Sequence, residues 1–293
     1  SRRQRQMCIR DSFCMFKDIQ RHPDYAPVRY NTDKYPSFTA EMGVGIQMIY
    51  SRRPIVKAEA AEALMVRSLG SGANGIGYYM YHGGSTPKQN NGVGFLSDEL
   101  MGVPKISYDF QAPIGEFGLV RDSYQNLRIL HTFLKDFSSS LAPMETVLPE
   151  GNDRITPDNR ETLRYAVRMK DDSGFIFMTN FQDHDTARVD QKGLQFKLNL
   201  RNESLMIPAK GTFTLKKDVS AILPFNLHME DAVLKYATAQ LLTKIEDNGK
   251  KHYFFFAPEG FTPEYSFDKT TLKSGKSFYA PISGVKSLSL IHI

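Results

Sequence analysis

Tryptophan is missing from this 293-residue chain, cysteine occurs only twice, and no apolar stretch approaches the ~18 to 20 residues that a membrane-spanning helix requires. Each shortage excludes something. Two cysteines, Cys8 and Cys14, build neither a disulfide framework nor a paired CxxC metal site, and Cys14 reads as a small buried hydrophobe. The amino terminus is arginine-rich but lacks the apolar stretch of a signal peptide, which leaves export undecided. There is no phosphate-cradling glycine loop, no supportable Ser-His-Asp arrangement and no metal-ligand spacing, so neither a cofactor nor a metal is expected. What remains is ordinary globular composition, 41% hydrophobic and 24% charged, enough for one large core or two medium ones.

The basic balance needs correction at the ends. Residues 2–11 and 288–293 are what a single transposase sequencing adapter encodes when it is read from its two strands. Residues 1–12 and 288–293 are therefore expected to be non-native, and residues 13–287 native. Removing the prefix removes four arginines and one aspartate, which lowers the formal charge from +5 to about +2. A nucleic-acid partner loses its electrostatic support, and no membrane partner is expected.

The native part divides by pattern. Residues 13–145 alternate short apolar strands with helices, the signature of βα units and a parallel sheet. A strand is predicted over 37–40, ended by Glu41-Met42-Gly43-Val44-Gly45. A helix follows, with Pro54 in its first turn, the strong formers of residues 57–64, and Gly70 as its stop. A second strand is predicted over 76–81, and a helix over 123–137 from the spacing of Tyr124, Leu127, Leu130, Leu134 and Phe137. Residues 146–287 switch to period two. Leu163, Tyr165, Val167 and Met169 alternate with polar residues, Leu194 to Leu200 repeat the pattern, and Asn248-Gly249 is a hairpin turn. This half is expected to be an antiparallel, β-sandwich-like domain.

Few residues offer chemistry. Glu41 stands at the carboxyl end of a predicted parallel strand, where barrel enzymes place catalytic groups, and Gly43 and Gly45 would allow close approach. On residue type alone, a glutamate before a glycine turn is more often a solvated loop residue. Tyr78 to Gly84 end the next strand at the same mouth and supply rings and hydroxyls. There Tyr78 reads as packing under a loop, and His82 as a hydrogen-bonded structural residue. Asp183-His184-Asp185 point alternately to two faces and do not converge on an ion.

The stretch Tyr79-Met80-Tyr81-His82-Gly83-Gly84, the later run from Ile106-Ser107-Tyr108-Asp109-Phe110 to Gly118, and the earlier Thr39-Ala40-Glu41-Met42-Gly43 together resemble glycoside hydrolase family 35, the β-galactosidases. Order and spacing agree over about a hundred residues, and the β half is similar more loosely. The resemblance implies the C-terminal part of a (β/α)8 TIM barrel followed by the β domain. It implies a retaining enzyme acting on a galactoside or galactose-terminated oligosaccharide, with Glu41 as nucleophile and Tyr79 as a substrate-binding contact. It also implies an acid/base glutamate upstream of residue 13, so that the chain alone is expected to be inactive, and a periplasmic or secreted parent protein. A catalytically inactive carbohydrate-binding homologue, or a hydrolase of another β-glycoside such as a β-glucosaminide, stays open. Ser85-Thr86-Pro87 departs from the family's Thr-Asn-aromatic continuation, and without tryptophan any sugar platform falls to tyrosine or phenylalanine.

Overall fold

The computed structural model describes residues 34–48, 53–88, 90, 106–156, 158–183, 185–272 and 288–292. Cys14, His184 and the prefix lie outside them. Strand β1 (Ser37–Met42) leads through helix α1 (Ala58–Gly70) to β2 (Ala73–Tyr78), which pairs with β1 in parallel, Thr39 opposite Ile76 and Met42 opposite Tyr78. A short antiparallel pair, β3 (Gly84–Ser85) and β4 (Ser107–Tyr108), caps the carboxyl end of β2, and helix α2 (Asp122–Leu141) follows. The barrel expectation thus appears as one βαβ unit. The described residues form no closed barrel, because two parallel strands cannot curl into the eight-stranded ring that closure requires.

The rest is antiparallel. Strands β5 (Glu145–Val147), β6 (Arg164–Lys170), β7 (Ser173–Thr179), β12 (Ser220–Met229), β13 (Ala232–Ala237) and β16 (Tyr265–Phe267) form a six-stranded sheet in the order β16-β13-β12-β7-β6-β5. Two small ribbons, β8 (Gln191–Leu194) with β11 (Phe213–Leu215) and β9 (Phe196–Asn199) with β10 (Ser204–Ile207), lie on one face. Strands β14 (Gln240–Asp247) and β15 (Lys250–Phe256) form the hairpin predicted at Asn248-Gly249, whose φ values are 49° and 73°. Strand β17 (Leu288–His292) lies within the segment read as adapter-encoded and pairs with the edge of β15. Main-chain pairing of this kind is tolerant of sequence, since an open edge offers the same N–H and C=O groups to any extended segment.

The six-stranded sheet is buried on both faces, which explains why β7 and β12 read as continuous apolar runs rather than as alternation. Phe175 and Phe177 face the helices and pack with Met65, Leu69, Leu130 and Phe133, while Ile176 and Met178 face the ribbons and join Phe196, Leu205 and Leu215. Asn226, at φ 44°, falls where β12 changes phase, so Phe225 serves the ribbon side and Leu227 returns to the helices. Helix α2 presents Leu127, Leu130, Phe133, Phe137 and Leu141 at spacings of three and four residues, a stripe for the same core.

Arg168 ties the two halves together. Although 1% exposed, it meets no carboxylate among the described residues; its guanidinium donates to the carbonyl oxygens of Leu69 (3.2 Å), Ala73 (3.1 Å), Ala142 (3.4 Å) and Met144 (3.1 Å). Leu69 belongs to the last turn of α1, and Ala142 follows the end of α2, where carbonyls lack intrahelical partners. Burial pushes the group down to about 10, so it stays charged at neutral pH.

The helix start differs from the sequence expectation. Residues 53–57 carry no helix and α1 begins at Ala58, after an extended Lys57, because the Gln111 side chain accepts from the Val56 amide (3.2 Å) and donates to the Pro54 carbonyl (2.8 Å). Among the described residues no helix is long and apolar enough to cross a membrane.

Candidate active site

Parallel pairing brings the carboxyl ends of β1 and β2 to one edge. The Tyr79 amide donates to the Met42 carbonyl at 2.8 Å, which sets Tyr79 beside the strand end that carries Glu41. Met42 is 2% exposed and packs against Ser68 of α1, whereas Glu41 is exposed. Tyr78 and Tyr79 likewise diverge. Tyr78 turns back to share a 2.6 Å hydrogen bond with Nε2 of His131 on α2. Burial holds the Tyr78 phenol well above its ordinary value and the His131 imidazole below its own. These two side chains line a cavity of about 180 Å³ behind β2, together with Leu69, Ile76, Leu134 and Arg168. That space is a gap in the helix-side core, on the opposite side of β2 from Tyr79.

Tyr79 is half-buried. Its hydroxyl lies 2.8 Å from that of Tyr108, and its ring stands edge-on to Phe110 with centroids 5.2 Å apart. Tyr108 in turn stacks on Phe110 at 5.7 Å. The result is a three-ring wall carrying two phenolic hydroxyls at the mouth.

The loop behind that wall adopts costly backbone. Phe110 and Gln111 have φ of 58° and 50°, a left-handed conformation worth about 1–3 kcal/mol of strain each. It is held from several sides. The Asp109 carboxylate accepts from the amides of Gln111 (3.2 Å) and Glu116 (2.9 Å) and from the Arg121 guanidinium (2.6 Å). Gln111 also donates to the Ile46 carbonyl at 3.1 Å, joining this loop to the chain leaving β1. Gly45 has a specific reason here: a Cβ at that position would lie 2.2 Å from the Phe110 carbonyl oxygen. The close approach expected at this glycine is thus made by protein backbone.

His82 is exposed, and its Nδ1 bonds the Gly83 carbonyl, the structural role expected of it. Glu116 accepts from the hydroxyls of Ser85 and Ser107, which bridges the β3–β4 pair. Tyr108, Asp109, Gln111 and Glu116 were all inside the motif that carried the resemblance, yet no role could be given them from sequence, because each acts through tertiary contacts. Arg121 stood beyond the motif with no signal of its own.

Comparison with protein families accounts for nearly the whole chain. Residues 4–134 match the model described as Glycosyl hydrolases family 35, and residues 147–288 match Beta-galactosidase, domain 2. The first match begins inside the segment read as adapter-derived, and the second ends one residue past Ser287.

Proposed function

Since the chain belongs to glycosyl hydrolase family 35, we propose that it carries the nucleophile half of a retaining β-galactosidase site, with Glu41 attacking the anomeric carbon and Tyr79 contacting the sugar. The observation that supports this most directly is the Tyr79 amide bonded to the Met42 carbonyl, which sets an exposed carboxylate and a half-buried phenol on adjacent strand ends. In such an enzyme the nucleophile's oxygen bonds to the anomeric carbon as the bond to the leaving oxygen breaks, and a second carboxyl group about 5 Å away protonates that oxygen. Water then hydrolyses the glycosyl ester, the second group now acting as base. We assign that second carboxyl to a segment upstream of residue 13. The Tyr79 and Tyr108 hydroxyls supply donors for sugar oxygens or for the ionised carboxylate.

The test restores the upstream coding sequence. The extended protein is expected to cleave an aryl β-galactoside with retention, and the 293-residue chain alone to show no measurable turnover. Glu41→Gln should abolish activity in the extended protein; a loss smaller than about tenfold is too little for a covalent nucleophile and would overturn the assignment. A panel of nitrophenyl glycosides separates galactose from other β-linked sugars. Absence of turnover on all of them favours a carbohydrate-binding homologue.

A further inference from the structure

We infer that Gly77 is a positioning residue for Glu41: its missing side chain lets β1 carry a bulge at Ala40 and Glu41, and that bulge turns the carboxylate onto the face of the strand pair that also carries Tyr79. This rests on the glycosidase reading above and identifies what aims its nucleophile. Thr39 pairs with Ile76 and Met42 with Tyr78, so two residues of β1, Ala40 and Glu41, stand against the single residue Gly77 of β2. Two residues against one make a bulge, which is rare between parallel strands and over-represented beside active sites, where it re-aims a side chain.

Three observations fix the direction of the turn. First, Tyr78 bonds His131 of α2 and Met42 packs against Ser68 of α1, so the pair formed by Met42 and Tyr78 faces the helices, as does the pair formed by Thr39 and Ile76 two residues earlier on β2. An unbroken ladder continuing from Thr39 would set Glu41 opposite Tyr78, against those helices. Second, burial breaks its alternation at the extra residue: Thr39 is half-buried, Ala40 and Glu41 are both exposed, and Met42 is buried. The apolar side chain thereby takes the place in the core, and the carboxylate is left on the open face, the side to which Tyr79 turns after Tyr78. Third, the Ala40 carbonyl occupies the space that a side chain at position 77 would fill. A Cβ there would lie 2.5 Å from the Ala40 oxygen and 3.4 Å from the Thr39 oxygen. Both are main-chain atoms, so any side chain at 77 pushes the backbone immediately before Glu41 by several tenths of an ångström.

The experiment uses the extended protein and compares Gly77→Ala with the same substitution combined with deletion of Ala40. The deletion leaves a regular ladder, with Thr39 opposite Ile76, Glu41 opposite residue 77 and Met42 opposite Tyr78, and it removes the carbonyl that a Cβ would strike. Gly77→Ala alone should lower the urea midpoint and reduce kcat on a nitrophenyl β-galactoside at least about tenfold, because small misplacements of a reacting group are costly. The inhibition constant of free galactose should change by less than about threefold, since the sugar contacts stay. The combined variant should regain the midpoint but not kcat, which separates the aim of the carboxylate from the soundness of the sheet. A kcat within about twofold of wild type in Gly77→Ala, recovery of kcat together with the midpoint, or no recovery of the midpoint would each overturn the inference. Should Gly77→Ala fail to fold, the combined variant decides alone: folded and slow supports the inference, while unfolded or fully active overturns it. If another β-glycoside is the one cleaved, the same variants are read on that sugar and only the galactose reading fails. Activity retained in Glu41→Gln, or a protein inert on every glycoside, overturns the glycosidase reading and the catalytic role of Gly77 with it, and the two midpoints then still report whether the bulge needs a glycine.

Discussion

The Arg168 guanidinium donates to the carbonyl oxygen of Leu69 at 3.2 Å, linking β6 to the last turn of a helix 99 residues earlier. Among the described residues nothing acidic accompanies it, so the stabilisation comes from carbonyl dipoles; those of Leu69 and Ala142 also accept from the Gly72 amide and the Asn74 side chain, which leaves Ala73 and Met144 as the carbonyls that depend on it most. Leaving such groups unpaired costs about 1–3 kcal/mol each, partly recovered as the site relaxes.

Arg168→Met should therefore lower the stability of this chain by about 3 kcal/mol or more, read from the midpoint of urea unfolding. Arg168→Lys should recover only part of the loss, because a single ammonium cannot reach carbonyls from Leu69, Ala73, Ala142 and Met144 at once. A midpoint unchanged in Arg168→Met would show that water replaces the guanidinium at little cost.

Glu62 makes stability depend on pH. Burial in α1, with Glu59 one turn earlier adding repulsion, pushes its carboxyl up from 4.5 to about 7. A raised folded value means that the folded state holds a proton the unfolded state has released. The contribution is full below pH 4.5 and is lost as pH rises through about 7. Glu62→Gln should flatten that dependence, with a gain over wild type at pH 8 compared with pH 4 of about 2 kcal/mol after allowing for partial solvent access. Parallel stability profiles for the two proteins between pH 4 and 8 would contradict it.

Asp109 should position the tyrosine wall without itself touching sugar. Asp109→Ala removes the acceptor for two amides and the Arg121 guanidinium, and should cost about 1–2 kcal/mol in a partly exposed setting. In the extended protein it should raise KM for an aryl galactoside more than it lowers kcat, with Asp109→Glu recovering part of the loss. A stability loss with kinetics unchanged would make the residue purely structural.

Much of this was legible in the sequence, and the failures have causes. Period two found β6, and Asn248-Gly249 found β14–β15, because these signals are local. The second helix was predicted over 123–137 and runs from Asp122 to Leu141, since its apolar stripe continues to Leu141. Strand β12, ten residues long and almost entirely buried, carries no alternation because both of its faces are covered. Leu194 to Leu200 read as one strand but form two, β8 and β9, which part at Gln195 to reach different partners. Pro54 looked like a helix start until the Gln111 side chain, more than fifty positions away, claimed its carbonyl. At the mouth, it was the family resemblance, not residue type, that singled out Glu41 and Tyr79. The Tyr108 partnership and the Asp109 clamp depend on a left-handed turn at Phe110 and Gln111, which non-glycine residues give no reason to expect.

The sheet with two covered faces also constrains how this gene can be handled. A recombinant boundary drawn near Met144 would strip the helices from Phe175, Phe177 and Ile222 and present a wet aromatic wall to solvent. Homologous swaps of the carboxyl-terminal half are therefore expected to succeed only when the donor brings complementary side chains for α1 and α2, so the two halves are inherited as a matched pair rather than as interchangeable parts.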